Sequence, residues 1–131
     1  MLNNDTNNQK MNNEASKVAK QALDIIILAK LLEEPAHGYG LIKYIYDKYD
    51  LFLTPSHIYP LLYNLEEKGL INNKQDHKCK IYSIKEREKV NHIISEYLNT
   101  HLSFIKSLQR EYSFVSNNLN TLPLTDENNS K

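Results

Sequence analysis

Breakers are scarce in this chain, and their positions constrain its fold more than any other feature. Glycine occurs only at 38, 40 and 69, and proline only at 35, 55, 60 and 123, in 131 residues. So few breakers favour long helices over many short strands. Pro35 and Gly69 fall between apolar stretches and read as helix ends. At 15.3 kDa, with 40% hydrophobic and 24% charged residues, the chain suits a single folded domain with one core.

The intervals between breakers predict the elements. Residues 1–15 are polar, with six asparagines in the first thirteen positions, and read as a flexible tail; Met11 is an alternative start. Ser16 suits a helix cap, and Val18, Ala22, Leu23, Ile26, Ala29 and Leu32 follow at helical spacing until Pro35. A second helix is expected from about His37 to Asp50, with Leu41, Ile42, Ile45 and Tyr49 inward. A third starts at Thr54-Pro55-Ser56, carries Ile58, Leu61, Leu62 and Leu65 on one face, and closes at Gly69. Three helices with short connections form a helix-turn-helix, with residues 56–68 as its recognition helix.

The period then changes. Leu70-Ile71 opens one strand and Lys80–Ile84 alternates as a second, with Asn72–Cys79 expected as a polar turn. Such a hairpin after a recognition helix is a wing. From 87 to 118 a long helix is expected. Its positions Val90, Ile94, Tyr97, His101, Ile105, Leu108, Tyr112 and Val115 step by threes and fours, close to a heptad seam. A helix of ~30 residues is about 45 Å long, more than a domain this small can cover on both sides, so a partner subunit is the natural cover. The predicted fold is mainly α with a small β-hairpin wing. Its parts are a tail at 1–15, a winged helix-turn-helix at 16–86, a dimerisation helix at 87–118, and a second tail at 119–131 after the last helix.

Two motifs resemble the PadR family of transcriptional regulators. Pro35-Ala36-His37-Gly38-Tyr39-Gly40 resembles the family's PxHGYE motif. Pro55-Ser56-His57-Ile58-Tyr59-Pro60-Leu61-Leu62-Tyr63-Asn64-Leu65-Glu66-Glu67-Lys68-Gly69-Leu70-Ile71 is similar to its SPGTIYPLLRRLEEKGLV block. The resemblance covers roughly residues 22–110. It implies a winged helix with a long C-terminal dimer helix, acting mostly as a repressor, and in many members releasing DNA when a flat aromatic compound binds between subunits. The chain departs from the pattern where contacts are made. Ser56-His57 replaces Gly-Thr, Tyr63-Asn64 replaces Arg-Arg, His77-Lys78-Cys79-Lys80 replaces the basic wing, and there is no tryptophan to stack a drug.

The expected DNA contacts are Ser56, His57, Tyr59, Tyr63 and Asn64 on the recognition helix. Asparagine can pair with adenine, and serine, histidine and tyrosine can hold base edges or phosphates. No arginine or lysine stands in the first three turns, so A·T-rich sites fit better than guanine. The net charge of zero excludes a general polycation, yet residues 70–110 hold eight basic and four acidic side chains. Lys74, Lys78 and Lys80 on the wing, with Lys17 and Lys20 on the first helix, are expected on phosphates. Val90, Ile94, Tyr97, His101, Ile105, Leu108 and Tyr112 are expected at a homodimer interface, and double-stranded DNA with a two-fold operator is the expected partner. A small aromatic ligand at that seam is a further option.

The remaining residues offer little other chemistry. One cysteine, Cys79, excludes an internal disulfide framework. The five histidines lack zinc-site spacing, so no metal and no cofactor is expected. His37 is expected to bond locally at its helix start. Glu33-Glu34 and Glu66-Glu67 read as solvated faces, and no catalytic constellation is present. There is no export signal and no apolar run near ~20 residues, so the expected location is the cytoplasm. The rival to a DNA-binding regulator is a winged helix used as a protein-interaction module.

Overall fold

The structure, a computed structural model of one chain, describes residues 13–119, with only the backbone of Leu119. The expected tail residues 1–12, the alternative start Met11 and the expected C-terminal tail from 120 lie outside the described residues. Eight elements follow in order: α1 Asn13–Lys20, α2 Leu23–Glu33, β1 Ala36–His37, α3 Gly38–Tyr49, α4 Pro55–Glu67, β2 Ile71–Asp76, β3 Cys79–Ile84 and α5 Arg87–Leu119.

The single helix expected over 16–33 is two helices, and the first begins before Ser16. Ala22 leaves helical geometry (φ −124°, ψ 32°), and the amides of Gln21 and Ala22 reach back only three residues, to Val18 and Ala19. Ser16 is not a cap. It is buried, and its hydroxyl donates to the Tyr49 carbonyl at 2.5 Å. The tight turn lets α1 lie against the end of α3 while α2 runs through the core. Small Ala19 and Ala22 occupy the corner, both buried.

Helix α2 buries Ile26, Ile27, Leu28 and Leu31. Leu41 and Ile45 from α3, with Ile58, Leu62 and Leu65 from α4, close over it, and Leu70, Ile71, Tyr82 and Val90 complete the core. Side chains of this kind each contribute about 1.5–3 kcal/mol on burial. Gly69 takes φ 74° after α4, as expected of a left-handed helix end. The Arg87 guanidinium donates to the Leu32 carbonyl at 3.2 Å, fixing the start of α5 beside the end of α2.

The sheet has three antiparallel strands in the order β1-β3-β2. β1 is an addition to the expected hairpin: Ala36 pairs with Tyr82 and His37 with Ile81. β2 continues to Asp76, well into the segment read as a turn. The turn itself is His77-Lys78, since Asp76 pairs with Cys79. His77 takes φ 59°, a left-handed conformation that histidine adopts more readily than most non-glycine residues.

Gly38 is buried beneath the Tyr59 ring, and a Cβ placed there would fall 2.5 Å from the Tyr59 hydroxyl oxygen. Tyr59 remains 41% exposed, so its ring has room to swing outward. Gly38→Ala is therefore expected to displace Tyr59 and destabilise the domain by about 1 kcal/mol, within the range for overpacking. Thermal melts of Gly38→Ala in the wild-type and Tyr59→Ala backgrounds check this: the penalty should largely vanish once the ring is gone.

The chain divides into two compact units, with the boundary between Ile94 and Ser95. In the first, Val90 is fully buried, and Ile93 and Ile94 pack on the core. Val90 therefore belongs to the domain interior, which corrects its assignment to a partner interface. In the second, almost every described side chain is exposed, Leu98, Leu102, Phe104, Ile105, Leu108 and Phe114 among them. Among the described residues no helix is long and apolar enough to cross a membrane.

Candidate nucleic-acid interface

Helix α4 starts at Thr54 with a capping arrangement built on histidine. The Thr54 amide donates to His57 Nδ1 at 3.3 Å, while its hydroxyl lies 2.9 Å from that of Ser56. An Nδ1 that accepts leaves Nε2 as the hydrogen-bearing nitrogen of the neutral ring. His57 is exposed, so it keeps one donor beyond its capping role. Pro60 follows inside the helix. With no amide hydrogen it cannot bond the Ser56 carbonyl one turn back, which leaves that carbonyl as an additional acceptor in the first turn.

Ile58, Leu62 and Leu65 face the core, so Ser56, His57, Tyr63 and Asn64 are exposed on the other side, with Tyr63 at 63%. The structure thus brings four of the five expected helix residues onto one polar surface. Tyr59 differs from them because it is packed against Gly38. Glu66 is not simply solvated: it accepts a hydrogen bond from the Asn73 side chain, joining α4 to β2.

The hairpin register divides the expected wing lysines. Side chains alternate between faces along a strand. Gln75 is paired with Lys80 and Lys74 with Ile81. Lys80 and Lys74 therefore stand on opposite faces. Lys78, in the turn, and Lys80 instead line one open cavity of about 290 Å³ together with Tyr39, Tyr59 and Tyr82. Burial pushes the Tyr82 hydroxyl above the ordinary tyrosine value, with the Glu66 carboxylate and Tyr59 adding to the effect. Lys17 and Lys20 are exposed on α1, where Lys17 approaches Glu14 at 3.7 Å.

His37 makes no side-chain capping bond at its own helix start, contrary to the expected local bonding. Its Nδ1 lies 3.0 Å from the Lys80 carbonyl oxygen and its Nε2 3.2 Å from the Asp76 carboxylate. Its ring also stacks on Tyr39 at 5.3 Å. Sequence reasoning missed this role, along with Tyr39 and Asn73. No local signal marks it, because the partners lie some forty residues away. Cys79 is exposed, and no three histidine, cysteine or acidic residues converge as metal ligands among the described residues.

In the second unit, Tyr97 and His101 stack at 3.9 Å between ring centres. His101 Nδ1 donates to the Tyr97 carbonyl at 2.8 Å. Ile105, Leu108 and Tyr112 continue the exposed stripe along the same helix.

Residues 27–90 match the family described as the transcriptional regulator PadR-like family. No curated protein matches the chain. Solved structures do. A PadR family transcriptional regulator from Eggerthella lenta is 22% identical with a TM-score of 0.63, covering 73% of this chain and 86% of that one. A transcriptional regulator from Clostridium thermocellum is 25% identical with a TM-score of 0.58, covering 70% of this chain and 94% of that one. A PadR-like transcription factor from Bacteroides fragilis is 20% identical with a TM-score of 0.59, over 76% and 98%. The family match spans the helix-turn-helix and the hairpin, and the solved structures share their arrangement. Residues 27–90 thus give this chain a winged-helix domain of the transcriptional regulator PadR-like family.

Proposed function

We propose that the protein acts as a homodimeric repressor that binds a two-fold operator in double-stranded DNA. One observation carries the reading: the polar surface Ser56, His57, Tyr63 and Asn64 on α4 belongs to the same winged domain as a hairpin bearing Lys78 and Lys80 on one cavity. In this reading the helix enters the major groove and the two lysines meet phosphates. The stripe from Tyr97 to Tyr112 joins two copies, so that their recognition helices meet successive grooves about 34 Å apart. A flat aromatic ligand at the Tyr97–His101 stack is a natural inducer, and the cytoplasm is the fitting location.

The test is a titration of the protein onto its own upstream DNA and onto scrambled DNA, at two salt concentrations. The expected result is tight binding to the upstream sequence, weakened by salt, well above the scrambled control. Equal weak binding to both sequences overturns specific recognition. It would favour the second reading, a winged helix that binds protein, which draws support from the lack of any lysine or arginine in α4 before Lys68.

A further inference from the structure

We propose that the cavity between the hairpin and α4 is a binding site for a phosphate group, with the Tyr82 hydroxyl as its buried donor. Where the phosphate belongs to DNA, the inference deepens the DNA-binding reading and rests on it; the site itself does not depend on that reading. Four pieces of chain meet there. The start of α3 gives Gly38 and Tyr39, α4 gives Tyr59, β3 gives Lys80 and Tyr82, and the turn before β3 gives Lys78. The open volume is about 290 Å³, far more than one water needs.

Tyr82 is the residue that points to a ligand. It is only 4% exposed, and its hydroxyl has no hydrogen-bond partner among the described residues. Every fully buried side-chain oxygen or nitrogen among those residues does have one. The hydroxyl therefore keeps a small patch of surface, and the wall to which Tyr82 contributes is that of this cavity. A polar group sunk this deep lowers stability unless something from outside bonds it. Burial also keeps the hydroxyl protonated beyond the ordinary tyrosine range, so it offers a hydrogen at working pH.

The surroundings are rich in donors and carry one sign of charge. Lys80 stands two residues from Tyr82 in β3, so both side chains leave the same face of the strand. Lys78 adds a second ammonium, and no aspartate or glutamate lines the cavity. The Glu66 carboxylate, which acts on Tyr82 from outside the lining, is held by the Asn73 side chain. The His37 ring, also on the cavity, is already turned to the Lys80 carbonyl and to Asp76. No side chain caps α3, and the first amides of a helix have no partner within it, so its start favours an anion. Gly38 lets the Tyr59 hydroxyl reach that start, since a Cβ there would lie 2.5 Å from the hydroxyl oxygen. Two ammonium groups, two phenol hydroxyls and a helix start thus approach from several sides. That arrangement suits a tetrahedral phosphate better than a flat carboxylate.

The test titrates inorganic phosphate onto the whole protein at constant ionic strength, with chloride as the reference, and follows the backbone amide NMR signals. Saturable shifts at the start of α3, at Tyr59 and at Lys78 to Tyr82 are expected with phosphate and not with chloride. Tyr82→Phe removes only the hydroxyl and keeps the ring in the core. It should weaken phosphate binding about tenfold, the scale of one hydrogen bond to a charged group, while the protein melts close to wild type. Lys80→Gln should weaken binding similarly, and Lys74→Gln, on the opposite face, should not. A second arm identifies the source of the phosphate. Upstream duplexes with a single neutral methylphosphonate, moved along the backbone, are bound to wild type and to Tyr82→Phe. If DNA supplies the group, one position per half-site costs the wild type about tenfold and costs Tyr82→Phe nothing further. Tyr82-dependent phosphate binding with no such position assigns the site to a free phosphate compound. No saturable phosphate effect, or one that Tyr82→Phe leaves intact, overturns the site. Tyr82-dependent phosphate binding by a protein that binds no DNA specifically would leave the site standing and overturn the operator reading instead.

Discussion

Replacing Lys78 and Lys80 together by glutamate is expected to weaken binding to the upstream DNA on the order of a hundredfold at physiological salt, and to lower the salt slope by about two. The change should leave the fold intact. Both side chains are exposed, and surface substitutions of this kind usually shift stability by less than about 0.5 kcal/mol. The hairpin register makes Lys74→Glu the internal comparison. Lys74 stands on the opposite face from Lys80, so its reversal should weaken binding far less. Fluorescence anisotropy on a labelled duplex, across a salt series, measures all three. Equal losses for Lys74→Glu and for the double variant would mean that the charge of the hairpin matters and its faces do not.

The second large effect is expected at the seam. Ile105→Asp with Leu108→Asp should turn a dimer into a monomer at micromolar concentration, as read by sedimentation. Within one chain Ile105 is 46% and Leu108 53% exposed, so the monomer loses little packing when they change. Across a dimer they would bury two unpaired carboxylates per copy, at a cost of several kcal/mol. DNA affinity should fall by about a hundredfold or more, since one half-site then binds without the effective concentration of the other. A wild-type chain already monomeric at high micromolar concentration would count against the seam and require another cover for these apolar side chains.

What was legible in the sequence follows from periodicity and breakers. The three helices of the helix-turn-helix were readable because Ile58, Leu62 and Leu65 repeat at helical spacing and Gly69 ends the run. Long α5 was readable for the same reason. Three features were not. The break at Gln21-Ala22 carries no glycine or proline, and it exists because α1 must dock through Ser16 onto Tyr49, a tertiary demand. β2 beyond Ile71 is Asn72–Asp76, polar throughout, so its pairing with β3 has no apolar alternation to announce it. β1 has two residues, too few for any period. At the site, the exposed residues of α4 were legible because they are what the core-facing positions leave over. The separation of Lys74 from Lys80 was not, because it depends on a register fixed by a two-residue turn. Val90 fits both a core and a seam by spacing, and only its complete burial assigns it to the core.

The pairing of Ala36 with Tyr82 has a consequence for how the domain assembles. Helices α2, α3 and α4 gather contacts between neighbours in sequence, which form early and at low entropic cost. β1 and β3 must instead meet across a long stretch of chain, closing a loop that contains α3, α4 and β2. The docking of β1 on β3 is therefore expected to come late, after the local β2–β3 hairpin, and a chain caught partway holds the recognition helix and the hairpin without β1 in place. Changes at Ala36 or Tyr82 should then act mainly on the unfolding rate and leave the folding rate nearly unchanged.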